Sequence, residues 1–185
     1  MEEKILIINL CYNNLHYYEF VKPVEDIIKI TNKKYKTIYY KKLNQNTIKR
    51  FKKIILCGTS LKDNEYFENI KNFEWIKNYN GKILGICAGM QILCKIFNCN
   101  IEKNLDIGLK LVNFKKNFLG IEGWKEVYEL HNYEISFSSV LEREFEIFSQ
   151  GSIDALKHKN KEFYVTLFHP EVNQKEIIIN FVNLK

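Results

Sequence analysis

The chain has 185 residues, enough for one compact domain with a buried core, and its 46% hydrophobic and 27% charged residues, with only 8 Gly and 2 Pro, exclude a disordered or collagen-like chain. The net charge is +6, but the lysines are dispersed in nothing longer than pairs such as Lys33-Lys34, Lys41-Lys42 and Lys115-Lys116, which argues for a solvated surface and against a nucleic-acid partner. Five cysteines, an odd count without a C-x-x-C spacing, disfavour a disulfide framework and a zinc site.

The chain opens MEEKILIINL, an acidic start followed by a short apolar run. It fits neither a secretory signal nor a membrane span, so the sequence predicts a cytoplasmic protein with no membrane partner. Lys4–Leu10 reads as a buried strand. A helix follows over Phe20–Ile30, with Val24, Ile27 and Ile28 on one face. Tyr35–Tyr40 and Lys53–Cys57 read as further strands. Glu65–Tyr79 has helical spacing and is expected to end at Gly81. Lys82–Ile86 is a fourth strand and Ala88–Phe97 a helix. Strand alternating with helix predicts a parallel sheet covered on both faces.

The second half reads differently. Ile107–Phe114, Val127–Ser136, Phe145–Gln150, Ile153–Lys157 and Phe163–Phe168 are short strand candidates with little helix between them. They are expected as antiparallel strands added to the sheet or packed beside it. A last helix is expected over Gln174–Val182. The prediction is therefore an α/β fold in one domain, residues 1–185: an open, mostly parallel sheet flanked by helices, with added antiparallel strands.

One stretch carries chemistry. Gly85-Ile86-Cys87-Ala88-Gly89-Met90-Gln91 joins an apolar strand to an apolar helix. A sharp strand-to-helix turn exposes its central side chain at the carboxyl edge of the sheet, and small residues two before and two after relieve the crowding. A thiol there meets the partial positive charge of a helix N-terminus, and the Ala88 N–H could face an oxyanion. A nucleophilic Cys needs a base that a third group orients. His169-Pro170-Glu171 follows directly on the strand ending at Phe168. It puts an imidazole and a carboxylate at a strand end, where sites in open α/β sheets lie. Of the other histidines, His16 in a polar loop and His158 between two lysines read as structural or solvent-facing. His131 reads equally well as a substrate-side group or as a strand-surface residue.

Together, the Gly-x-Cys-x-Gly-x-Gln elbow and the late His-Pro-Glu resemble the class I glutamine amidotransferase family, whose architecture is flavodoxin-like. The resemblance implies that Cys87 attacks the carboxamide of glutamine, with His169 moving the proton and Glu171 behind it. A glutamyl thioester, ammonia and then glutamate follow. It also implies oxyanion donors at Gly58 and Ala88, and substrate contacts at Gln91, Asn132 and Tyr133. It calls for no cofactor and no metal, and for a separate ATP-dependent synthetase subunit to take the ammonia. Within the family, Ile153–Lys159 and His169–Val172 look most like the stand-alone amidotransferase subunits of GMP synthases. Three places depart from the pattern: Gly58-Thr59-Ser60 where Gly-Gly-Pro is usual, Val165–Phe168 where Gly-x-Gln-Phe is usual, and Leu130–Tyr133 where that subunit has Ser-His-Gly-Asp. A γ-glutamyl hydrolase-like cysteine peptidase and an amidotransferase subunit of another pathway use the same motifs, and a non-catalytic regulatory relative is the third alternative, although such relatives typically lose one of the Cys, His and Glu and none is lost here.

Overall fold

The computed structural model describes residues 4–185; the first three residues of the MEEKILIINL segment lie outside them. In chain order the elements are β1 (Ile5–Asn9), α1 (Asn14–His16), α2 (Lys22–Ile30), β2 (Tyr35–Tyr39), α3 (Gln45–Ile48), β3 (Lys53–Leu56), α4 (Glu65–Glu68), β4 (Lys82–Ile86), α5 (Ala88–Ile96), β5 (Ile101–Phe118), β6 (Ile121–Ile135), α6 (Ser139–Glu144), β7 (Phe145–Ile147), β8 (Ala155–His158), β9 (Phe163–Thr166), α7 (Pro170–Asn173) and α8 (Glu176–Asn183). Seven strands form one sheet in the order β2-β1-β3-β4-β9-β8-β7. The pairs from β2 to β9 are parallel, and β8 and β7 extend the edge antiparallel. The predicted α/β class and mostly parallel sheet hold.

Ile5–Ile8, Ile54–Leu56 and Ile83–Ile86 in the central strands are unbroken apolar runs because both faces are covered. Leu6, Ile8, Ile54, Leu56 and Ile83 pack into one core with α5. Ile5, Ile7, Ile55, Leu84 and Ile86 pack into the other with α2 and α8. Successive side chains alternate between faces, so a parallel strand covered on both faces reads as a nearly continuous apolar run.

The short strands expected at Ile107–Phe114 and Val127–Ser136 are parts of one long hairpin, β5–β6, which forms its own two-stranded sheet beside the main one. Its turn is Leu119-Gly120, both at positive φ (48° and 99°), with the Asn117 side chain accepting from the Gly120 N–H at 3.1 Å. This is the backbone pattern that a two-residue hairpin turn needs, without the Asn-Gly pair that signals it.

Three other expectations are corrected. The helix expected over Glu65–Tyr79 is one turn of α-helix, α4, followed by a 3-10 segment over Ile70–Asn78. Gly81 does not cap it. A Cβ there would lie 2.5 Å from the Lys52 carbonyl oxygen and 2.4 Å from the Tyr79 hydroxyl, so close packing requires the glycine. The first helix starts earlier than Phe20: α1 runs through a π turn over Tyr17–Val21 into α2. Pro23 lies just beyond that turn, and a proline ring crowds the carbonyl four residues back, which favours the wider turn.

Candidate active site

The site lies at the carboxyl ends of β3, β4 and β9, beside the middle of β6. Cys87 occupies the turn between β4 and α5 at φ 48°, ψ −102°, a strained conformation for a residue with a side chain. Its N–H donates to Thr166 O at 2.8 Å, which ties the turn to the end of β9. Two glycines allow it. A Cβ at Gly89 would lie 2.5 Å from Leu56 O, and one at Gly85 2.8 Å from the Gly89 carbonyl carbon. Helix α5 thereby packs against the strand backbones with its N-terminus at the sheet edge, where its first amides have no intrahelical acceptor. Ala88 supplies one of these amides.

His169 follows β9. Its Nδ1 is 2.7 Å from Glu171 Oε1, and the ring is almost fully buried. The Cys87 thiol lies beside the same ring, both meeting the Leu130 carbonyl. Burial alone would push the imidazole pKa down, but the charges of Glu171 and Cys87 outweigh it and hold it well above the ordinary value. Nδ1–H therefore donates to Glu171, and Nε2 lies 3.4 Å from Leu130 O. The other Glu171 oxygen is buried without a hydrogen-bond partner, so Glu171's tie to protein groups runs through His169. The Phe20 ring rests on the imidazole, centroid to centroid 5.3 Å, and closes that side to water.

Gly58, in the loop after β3, touches both groups. A Cβ added there would fall 2.5 Å from His169 Cε1 and 3.5 Å from Cys87 Cβ. The loop is pinned by Asp63, which accepts from the Tyr12 N–H at 3.2 Å and the Thr59 hydroxyl at 2.8 Å, and pairs with His16 Nδ1 at 2.7 Å. His16 is thus structural, as expected. Asp63 itself had no signature in the sequence.

The remaining predicted residues line up behind the turn. Gln91 is buried, with Tyr66 Oη donating to its Oε1 at 2.5 Å and its Nε2 donating to Tyr133 O at 2.9 Å. Its amide is therefore engaged by protein groups on both sides and orients the Tyr133 backbone. The Tyr133 ring packs edge-on against Phe67. Asn132 Nδ2 donates to Leu61 O at 2.9 Å, which ties β6 to the Gly58 loop. Between these residues runs the feature that sequence reading missed: the Leu130 carbonyl, which accepts from Cys87 Sγ at 3.5 Å and faces His169 Nε2. A backbone oxygen has no sequence signature.

His131 departs from expectation, and His158 takes the structural one of its two expected roles. His131 is not on a strand surface; it is buried, 3.3 Å from the fully buried Glu129, whose carboxyl burial pushes up. Lys110 bridges this pair to Asp154, at 4.0 Å from Glu129 and 2.9 Å from Asp154. His158 is not at the surface despite its lysine neighbours. It points inward from β8 into a cage of Phe97, Phe145 and Phe163, and burial holds its pKa below the ordinary value. Among the described residues no group of three or more metal-ligating side chains is placed to hold an ion, and no helix is long and apolar enough to cross a membrane.

A strained thiol at a helix N-terminus beside a buried His–carboxylate pair suits acyl transfer through a thioester. The family model of glutamine amidotransferase class-I matches residues 16–183. The chain belongs to the class I glutamine amidotransferase family. Among curated proteins it is similar to a glutamine-hydrolysing GMP synthase subunit of Methanobrevibacter smithii, 31% identical over 108 residues, 54% of this chain and 55% of that one. It is also similar to the subunit of the same name from Methanosphaera stadtmanae, 34% identical over 120 residues, 58% of this chain and 63% of that one. The matched stretches thus span less than two thirds of those relatives' own length. Among solved structures, a Thermoplasma acidophilum protein assigned as a GMP synthase subunit superimposes with a TM-score of 0.84 at 21% identity, over 99% of this chain and 94% of that one. That likeness supports the amidotransferase fold for this member, flavodoxin-like as expected.

Proposed function

We propose that this chain is a glutaminase subunit that hydrolyses glutamine to glutamate and ammonia through a thioester on Cys87, and that it serves a GMP synthase. The observation that carries the reading is the Cys87–His169–Glu171 arrangement, with His169 Nδ1 2.7 Å from the carboxylate and the Leu130 carbonyl shared by the thiol and His169 Nε2. In this reading Cys87 passes its proton to His169 and attacks the side-chain carboxamide carbon as the thiolate. The developing oxyanion is met by the N–H groups of Ala88 and Gly58, which are fixed before the reaction and need no reorganisation. His169, charged through Glu171, delivers its proton to the leaving nitrogen, and ammonia departs. The neutral imidazole then takes a proton from water as it attacks the thioester, releasing glutamate and restoring Cys87.

The role within a larger enzyme rests on two supports. The Methanobrevibacter smithii and Methanosphaera stadtmanae relatives are both named as subunits of a GMP synthase. In addition, the outer face of β5 presents Leu105, Ile107, Leu109 and Leu111 to solvent at alternate positions, each more than half exposed. Ile107 and Leu109 pair across the hairpin with Leu130 and Tyr128. An apolar stripe of this length commonly marks an interaction surface, and it adjoins the Leu130 carbonyl at the thiol. It suits a synthetase subunit seated over the site, in position to receive ammonia.

The test is glutamine-dependent GMP formation by a GMP synthase synthetase subunit, with and without this chain. The proposal expects GMP formation and glutamate release together, both lost in Cys87→Ala. Glutamate release without support of GMP formation would keep the glutaminase and overturn the partner. GMP formation from glutamine that survives Cys87→Ala would overturn the mechanism.

A further inference from the structure

Helix α5 ends in a way that brings two thiols together. Phe97 closes the helix and Asn98 turns left-handed, at φ 61°. The Asn98 N–H donates to Lys95 O at 3.1 Å, and the Cys99 N–H donates to Cys94 O at 2.8 Å. This pair of bonds is the Schellman ending, which sets the side chain beyond the turn against the one three positions inside the helix end. Those two positions are ordinarily an apolar contact. Here they are Cys99 and Cys94, both buried in the same core. Both are free and nearly or fully buried, and neither belongs to the Cys87 site. Cys99 borders a cavity of about 410 Å³, shared with Lys95, Asn98, Asn100 and Glu102, which gives a reagent a way in.

We propose that Cys94 and Cys99 form a modification site, a dithiol that a small disulfide oxidant such as oxidised glutathione converts to an intramolecular disulfide. The neighbouring Cys94 thiol holds the Cys99 thiol below its ordinary range, while burial pushes the Cys94 thiol well above it, so Cys99 reacts first. The Cys99 thiolate attacks one sulfur of the oxidant. The oxidant's S–S bond breaks, and one glutathione thiolate leaves with the electron pair. The Cys94 thiolate then attacks the Cys99 sulfur, and the second glutathione thiolate leaves. Both cysteine protons end on the two glutathiones. The protein has lost two electrons and the oxidant has gained them. The other buried thiols lack this setting: burial raises Cys11 to about 12 and Cys57 well above the ordinary value.

The full chain is incubated across a series of oxidised-to-reduced glutathione ratios, quenched in acid, alkylated, digested and weighed. The proposal expects the segment from Cys94 to Cys99 to become resistant to alkylation and two hydrogens lighter, reversibly with reductant. It expects Cys94→Ser to stop at a mixed glutathione disulfide on Cys99, and Cys99→Ser to leave Cys94 alkylatable. Far-UV circular dichroism checks that the variants fold, and the wild-type mass decides the matter if one does not. Full alkylation of both thiols at every ratio would overturn the proposal. So would a stable glutathione adduct on Cys99 that never closes in the wild type.

Discussion

Replacing Gly58 with alanine separates the positioning of His169 from the supply of oxyanion donors, because alanine keeps the backbone N–H. The new Cβ would lie 2.5 Å from His169 Cε1 and 3.1 Å from Nδ1. Ordinary carbon contacts lie at about 3.5–4.0 Å, so a gap of about 1 Å must open. The ring has little room to yield. Phe20 stands on it at 5.3 Å between centroids, and Glu171 holds Nδ1 at 2.7 Å. Overpacking of this kind costs about 1–3 kcal/mol of stability. A misplacement of about 1 Å in a catalytic group costs on the order of 100-fold in rate. Glutamate release by Gly58→Ala, measured with its synthetase partner, should therefore show kcat down by about 100-fold with KM little changed. Urea unfolding should show a loss within the same range of about 1–3 kcal/mol. A kcat within about twofold of wild type in a folded variant would refute the claim that this contact sets the ring's position.

Glu171→Gln removes the charge that holds His169 well above its ordinary value of 6.5. Turnover should fall by about 100-fold or more. A base raised in the folded state stabilises the protein fully below the unfolded value and loses that contribution as pH rises through the folded one. Stability should therefore decline less with rising pH in Glu171→Gln than in wild type; parallel profiles would contradict the pairing. Burial lowers His158 instead, so its contribution is present above pH about 6.5 and is lost as pH falls through the folded value. His158→Phe should flatten the acid side of the stability profile, and an unchanged acid limb would argue against the aromatic cage. Gly89→Ala sets a Cβ 2.5 Å from Leu56 O, and α5 should lose its seat on β3 at a cost of about 1–3 kcal/mol, read by chemical denaturation.

The parallel half of the fold was legible because its physics is local. A strand packed on both faces reads as a nearly unbroken apolar run, as in Ile5–Ile8 and Ile54–Leu56, and the Cys87 turn needs glycines at fixed offsets. The hairpin was legible only in fragments. Its β5 strand is apolar on the exposed face at Leu105–Leu111 and carries Lys110 inward to Asp154, which inverts the usual alternation. Its turn lacks an Asn-Gly signal. His158 stayed open between a structural and a solvent-facing role because its lysine neighbours suggested solvent, whereas strand alternation turned it toward Phe97 and Phe163. The triad residues could be named because side-chain identity announces chemistry. The Leu130 carbonyl beside the thiol, the Tyr66–Gln91 bond and the Asp63 anchor could not, since each exists only once distant segments meet.

The central claim is that Cys87 carries the acyl group. The most direct measurement is rapid acid quenching of the chain and its synthetase partner during turnover of isotopically labelled glutamine, followed by mass analysis of the cysteine-containing peptides. The account predicts one labelled glutamyl group on Cys87, absent in Cys87→Ala. Label on another cysteine, or undiminished glutamate release from Cys87→Ala, would contradict it.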